Sequence, residues 1–175
     1  MFELSNEQIG AWVGSFLLPL FRIAALLMFM PIIGTQLVSV RVRLYLSLAI
    51  CLAIMPTLPP MPVIDAVSVQ AFIWIAQEIL IGMMLGFVLQ LFFQVFAIAG
   101  QIVAMQMGLG FASMVDPANG ISVPVIGQVF MILVTLLFLA MNAHLVVFEV
   151  LAESFFTLPV GSGFLVENYW EIANK

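Results

Sequence analysis

Hydrophobic positions run along this chain in long blocks that polar residues barely interrupt. No Asp, Glu, Lys or Arg occurs from residue 79 to 115, or again from 117 to 148. The first block opens at Ser5, with Gln8 three residues on, a capping-box spacing, and Glu7 suits the positive end of the helix dipole. The spacing predicts a helix to about Met30, stopped by Pro31 and kinked at Pro19. Gly10 and Gly14 give that helix a small-xxx-small face. A turn through Gly34 and Thr35 leads to Arg41 and Arg43. A second apolar segment, Leu44 to Met55, is short for a ~30 Å hydrocarbon core, which takes about 20 helical residues. The run Pro56-Thr57-Leu58-Pro59-Pro60-Met61-Pro62 then reads as a stiff extended connector. A third segment from Val67 to about Ala99 exceeds one membrane thickness, so it must tilt, protrude or break. A fourth runs from Ile121 to Val150, and a more polar tail begins at Val160-Gly161-Ser162-Gly163.

Composition turns this pattern into a class. Hydrophobic residues make up 65% of the chain, charged ones only 7%, and mean hydropathy is +1.26. The expectation is an all-α, multi-helix integral membrane protein, one membrane-embedded domain over residues 1–175. Four basic residues cannot neutralise a nucleic-acid backbone, so nucleic acid is a poor partner. The acidic start and the uninterrupted apolar run to Met30 do not read as a cleaved secretory signal. Arg41 and Arg43 place their loop on the cytoplasmic side by the positive-inside rule, and the N-terminus outside.

Few residues carry candidate chemistry. Cys51 is alone and reads as a small hydrophobe. Arg22, deep in the first apolar run, either snorkels to a headgroup or pairs with a carboxylate or helix-end carbonyls. The cost of an unpaired charge at that depth favours pairing. Glu78 is placed similarly in the third segment. It is either the partner of Arg22 in a buried ion pair or part of a proton path, and pairing is the preferred reading. Gln90, Gln94 and Gln101 fall within about 40° of one another on a helix, as interhelical hydrogen bonders or as an uncharged wet wall joined by Gln106. Gly82 and Gly86 read as ordinary close packing.

His144, Glu149 and Glu153 invite a metal or catalytic reading that their spacing does not support, with a single histidine and no second ligand nearby. Gly108-Leu109-Gly110 lacks the third glycine of a dinucleotide motif. Neither an enzyme nor a cofactor is expected. The segment Met105-Gln106-Met107-Gly108-Leu109-Gly110-Phe111-Ala112-Ser113-Met114 differs in kind: methionine fills gaps that change shape, and glycine gives joints. Before the turn at Asp116-Pro117-Ala118-Asn119-Gly120 it is either a helix hairpin with a glycine-rich bend or a deformable apolar plug. In the plug reading the residues are Met105, Met107, Gly108, Leu109, Gly110, Phe111 and Met114.

Taken in order, these residues resemble the FliR family, export-gate subunits of type III secretion systems. The matching set is Arg22 before Pro31 and Gly34, then Arg41 and Arg43; Glu78, Gly82 and Gly86; Gly100, Gln106, Gly108, Asp116, Pro117 and Gly120; His144; and Ser154-Phe155 with Pro159 and Gly161. The resemblance implies tilted helical hairpins in a helical gate with FliP and FliQ, alongside FlhB and FlhA, in the bacterial inner membrane at the flagellar basal body. It implies that unfolded flagellar substrates pass through the centre and that the Met105 to Asp116 region is the loop closing the pore. Family members continue into a FliQ-like hydrophobic hairpin, which is not found before Lys175. The competing reading is a small multi-pass transporter subunit for an ion or solute, with Arg22 and Glu78 as its coupling pair.

Overall fold

Among the described residues, proline, glycine and one asparagine divide the apolar blocks into five helices. The computed structural model describes residues 6–59, 68–109, 113–115 and 122–161. Helix α1 is Asn6–Phe29, α2 is Val40–Ile54 followed by a 3-10 turn at Met55–Thr57, and α3 is Val69–Gln106. Then come two short strands, β1 (Ser113–Val115) and β2 (Ser122–Pro124), and the helices α4 (Val125–Ala140) and α5 (Ala143–Thr157). The architecture is all-α in character, and among the described residues the small antiparallel ribbon pairing Met114 with Val123 is the departure from it. Nothing in the sequence pattern predicted that ribbon, because three-residue strands are too short to show alternation.

Helix α1 stops one residue short of Met30, with Pro31 just beyond, and Pro19 lies buried within it. In the turn that follows, Arg43 donates to the carbonyls of Thr35 and Val38, both at 2.8 Å. That reach explains how Arg43 is tolerated in the first turn of α2, where the helix dipole disfavours positive charge. Helix α2 is longer than the apolar segment suggested. With its 3-10 turn it spans 18 residues from Val40 to Thr57, enough to cross a membrane.

Helix α3 neither breaks nor stops at Ala99. Its 38 residues form one helix about 57 Å long at ~1.5 Å per residue. Fitting that into a ~30 Å core would take a tilt of roughly 60°, beyond the 0–40° range of membrane helices, so an α3 that crosses a bilayer would project from it.

The fourth apolar block, expected as one segment, is two helices bent by 68°. Asn142 causes the break. Its φ of 56° and ψ of 24° are left-handed, a conformation asparagine tolerates better than most residues. Among the described residues, two helices are long and apolar enough to span a membrane, or three if the bent pair counts as one.

All five helices contribute to one core. Ile23, Leu26 and Leu27 of α1, with Met30 just past its end, meet Cys51 of α2, Phe93 of α3, Val134 and Phe138 of α4, and Leu151 and Phe155 of α5. Glycines set the approach of α3 to its neighbours. A Cβ at Gly82 would run into the Arg22 carbonyl oxygen, and one at Gly86 would lie 2.6 Å from the Phe29 Cβ. At the other end of α3, a Cβ on Gly100 would lie 2.7 Å from the Gly127 Cα of α4.

Candidate functional site

Two places in this fold carry the unusual residues: a charged node inside the helix cluster, and the junction between α3 and α4.

Arg22, fully buried on α1, makes the node. Its Nε donates to Glu78 Oε2 at 2.6 Å and Nη2 to Glu78 Oε1 at 2.8 Å, a bidentate fork from α1 to α3. Nη1 donates to the Ser154 carbonyl at 2.8 Å and to Ser154 Oγ at 3.1 Å. The remaining Nη2 hydrogen goes to the Leu158 carbonyl at 2.9 Å. A guanidinium has five N–H groups, and all five are used. The guanidinium carbon also lies 4.2 Å from the centre of the Phe155 ring.

The logic is electrostatic. Ser154 and Leu158 present the carbonyl oxygens of the C-terminal end of α5, the negative end of its dipole. A carboxylate and a helix end thus share one cation, and the Ser154 hydroxyl donates its own hydrogen bond to the Leu151 carbonyl at 2.6 Å. Side-chain exposure is 0% for Arg22 and 1% for Glu78. The sequence reading allowed helix-end carbonyls as partners of Arg22 but did not name α5. Its only signal was Ser154, a small polar residue in an apolar helix.

The α3–α4 junction begins with a capped helix end. Gly108 has a φ of +71°, its N–H bonds the Met105 carbonyl, and the Leu109 N–H bonds the Ala104 carbonyl. This double bonding is the Schellman arrangement, which calls for a left-handed residue at the glycine position. Met105, Gln106, Met107 and Leu109 are all exposed around this cap. Met114 lies in β1, while Gly110, Phe111 and the turn at 116–120 fall outside the described residues. Among the described residues the junction shows a capped helix end and the paired strands β1 and β2.

The glutamines separate into two groups. Gln90 and Gln94 line a cavity of about 540 Å³ between the end of α1, the α1–α2 turn, α3 and α4. Gln101 and Gln106 are exposed further along α3, outside its lining. The α4 wall adds Gln128 and Thr135, two polar residues that the sequence reading did not single out. Both stand in a helix that is otherwise almost wholly apolar, which was the available signal. Among the described residues, no group of three His, Cys, Asp or Glu side chains is placed to hold a metal ion. Glu149 and Glu153 are exposed.

A family model described as bacterial export proteins, family 1, matches residues 13–174. The chain belongs to this family. It is 40% identical over 164 residues to the flagellar biosynthetic protein FliR of Escherichia coli K12, covering 92% of this chain and 61% of that protein. The FliR of Pectobacterium carotovorum is 36% identical over 170 residues, covering 96% of this chain and 64% of that one. The FliR of Buchnera aphidicola from Schizaphis graminum is 34% identical over 175 residues, 100% of this chain and 67% of the relative. The chain thus spans about two thirds of the length of these relatives. The family match covers both places described above, the Arg22 node and the α3–α4 junction.

Proposed function

We propose that this chain is the FliP-like portion of a FliR-type subunit in the flagellar type III export gate. In this reading it completes a channel with FliP and FliQ in the bacterial inner membrane at the basal body, next to FlhB and FlhA. Its role is non-enzymatic: it shapes the pore for unfolded export substrates and supplies a loop that closes it. The observation that carries the reading is the family match over residues 13–174, joined to relatives whose own names are flagellar biosynthetic proteins.

Physical features support it. Leu80, Met84, Phe87, Leu91, Val95 and Ile98 of α3 are all exposed. A helix too long for a membrane that still bares large apolar side chains along its length suits burial among other subunits as well as lipid. The charge-free, methionine-rich segment from Met105 to Met114 sits at the far end of that helix, where a neutral, jointed seal would belong.

The competing transporter reading needs Arg22 and Glu78 to change partners during a cycle. Every guanidinium hydrogen is already engaged and the pair is enclosed, which favours a fixed structural joint. The two readings part in purification. Co-expressed with FliP-like and FliQ-like subunits, the protein should elute from detergent extracts in one large stoichiometric complex, and alone it should aggregate. A stable, monodisperse monomer with transport activity in vesicles would overturn the export-gate reading.

A further inference from the structure

We infer that the groove between α3 and α5 seats a helix of a neighbouring subunit, one that lays an apolar ridge into the groove and carries Lys or Arg on the flank that meets Glu149 and Glu153. The inference rests on the export-gate reading and deepens it.

The groove has a volume of about 250 Å³ and only apolar side chains line it. Val88 and Phe92, one turn apart on α3, stand on one side, and Val146 and Val150, one turn apart on α5, on the other. All four are exposed, while Leu26 beside them is buried. Such a volume takes a few side chains and no more. An occupant therefore lies over the groove and inserts a ridge, as packed helices do.

Glu149 and Glu153 border this groove. Each follows a groove residue of α5 by three positions, Val146 and Val150, which is about 60° around the helix. Both carboxylates are exposed, and neither pairs with a cation among the described residues. Their placement is unfavourable twice over. Like charges four residues apart on a helix repel. Glu153 also lies near the end of α5 at Thr157, where the dipole disfavours negative charge.

The combination of groove and carboxylates selects the occupant. Water would solvate the carboxylates but leave the apolar groove bare. Lipid tails would cover the groove but strand two charges in hydrocarbon. A headgroup does not fit either, because exposed Leu145 and Phe156 bracket the pair along α5 and keep it from an apolar–polar boundary. A helix that is apolar on one side and basic on its flank satisfies both. The long stem of Lys or Arg covers apolar surface while its head reaches a carboxylate.

The test places a photoreactive benzophenone amino acid at Val150, in cells carrying the whole gate. Val150 should form an adduct with another gate subunit, and peptide mapping should locate it on an apolar helix that bears Lys or Arg. Changing Glu149 and Glu153 together to Lys should lower that adduct at least about tenfold per membrane-inserted subunit, since like charges would then face each other. Changing both to Gln should lower it less. The two side chains are exposed, so neither change should reduce the amount of inserted subunit. Adducts only with lipid or within this chain, a mapped helix without Lys or Arg, or a yield indifferent to charge reversal would overturn the docking face. If the gate co-purifies normally and any of these results appears, the export-gate reading stands and only the docking face falls. Failure of the unaltered chain to co-purify with any gate subunit would overturn both.

Discussion

Arg22 carries the largest single-residue effects expected in this chain. Removing it leaves the buried Glu78 carboxyl without its partner, and Arg22→Ala should cost roughly 3–5 kcal/mol, read as lost thermal stability in detergent or lost complex yield. Arg22→Lys should fail almost as badly, because one ammonium cannot span the Glu78 carboxylate and the α5 carbonyls together. Arg22→Met with Glu78→Met should be milder than either single change, since a buried pair replaced by apolar side chains of similar size often costs little. Additive losses in the double variant would show that the ion pair is not the joint. Ser154→Ala should cost about 1 kcal/mol, because it removes one acceptor at 3.1 Å and spares the Ser154 carbonyl bond. Gly108 is a different kind of residue. A Cβ there would meet nothing within 4 Å, so its φ of +71° alone demands glycine. Gly108→Ala should cost about 1–2 kcal/mol, with Gly108→Asn better tolerated. Arg22 and Glu78 were conspicuous in the sequence as lone charges in apolar runs. Leu158 was not, because a backbone carbonyl leaves no mark in a sequence.

At the scale of elements, the glycines decide which helices touch, and their substitutions should not be equivalent. Gly100→Ala puts a Cβ 2.7 Å from the Gly127 Cα and should separate α3 from α4. Gly127→Ala meets the Ala97 carbonyl oxygen at 3.7 Å and the Gln101 nitrogen at 3.9 Å, ordinary contacts, so it should be neutral or stabilising by up to about 1 kcal/mol from helix propensity. Melting temperatures of the two variants in one detergent would settle this, and equal destabilisation would contradict the packing described. Gly82→Ala should be worse still, because the contact it violates is the backbone of Arg22 itself. Helix number and extent were only partly legible beforehand. Pro31 marked the end of α1 correctly because proline removes a donor wherever it stands. The break at Asn142 was missed because asparagine merely permits a left-handed residue, and whether the chain uses that permission depends on what α5 packs against. The start of α2 was also read late. Arg41 and Arg43 look like loop residues until Arg43 is seen to reach back to the turn carbonyls.

For the whole molecule, the sharpest question is what the α3–α4 junction does inside an assembly. A closed export gate must hold back ions yet open for a polypeptide, so its seal should be apolar, jointed and free of charge. The segment from Met105 to Met114 has all three properties, and it follows a helix that projects beyond one bilayer thickness. The helices on either side of it are held independently by the Gly100–Gly127 approach and by the core around Phe93 and Phe138. Removing residues 106–114 should therefore leave the subunit folded and the gate assembled, while the membrane becomes permeable to ions and small solutes. Changing Phe111 and Met114 together to Gly should leak in the same way with less perturbation of the chain. Changing Gly108 and Gly110 to Val should instead stiffen the segment, slowing export without leakage. Membrane conductance, or small-solute influx into cells whose assembled gate is quantified in parallel, reads all three. If the deletion assembles and does not leak, the segment is only a connector, and in the export-gate reading the pore is sealed by other residues.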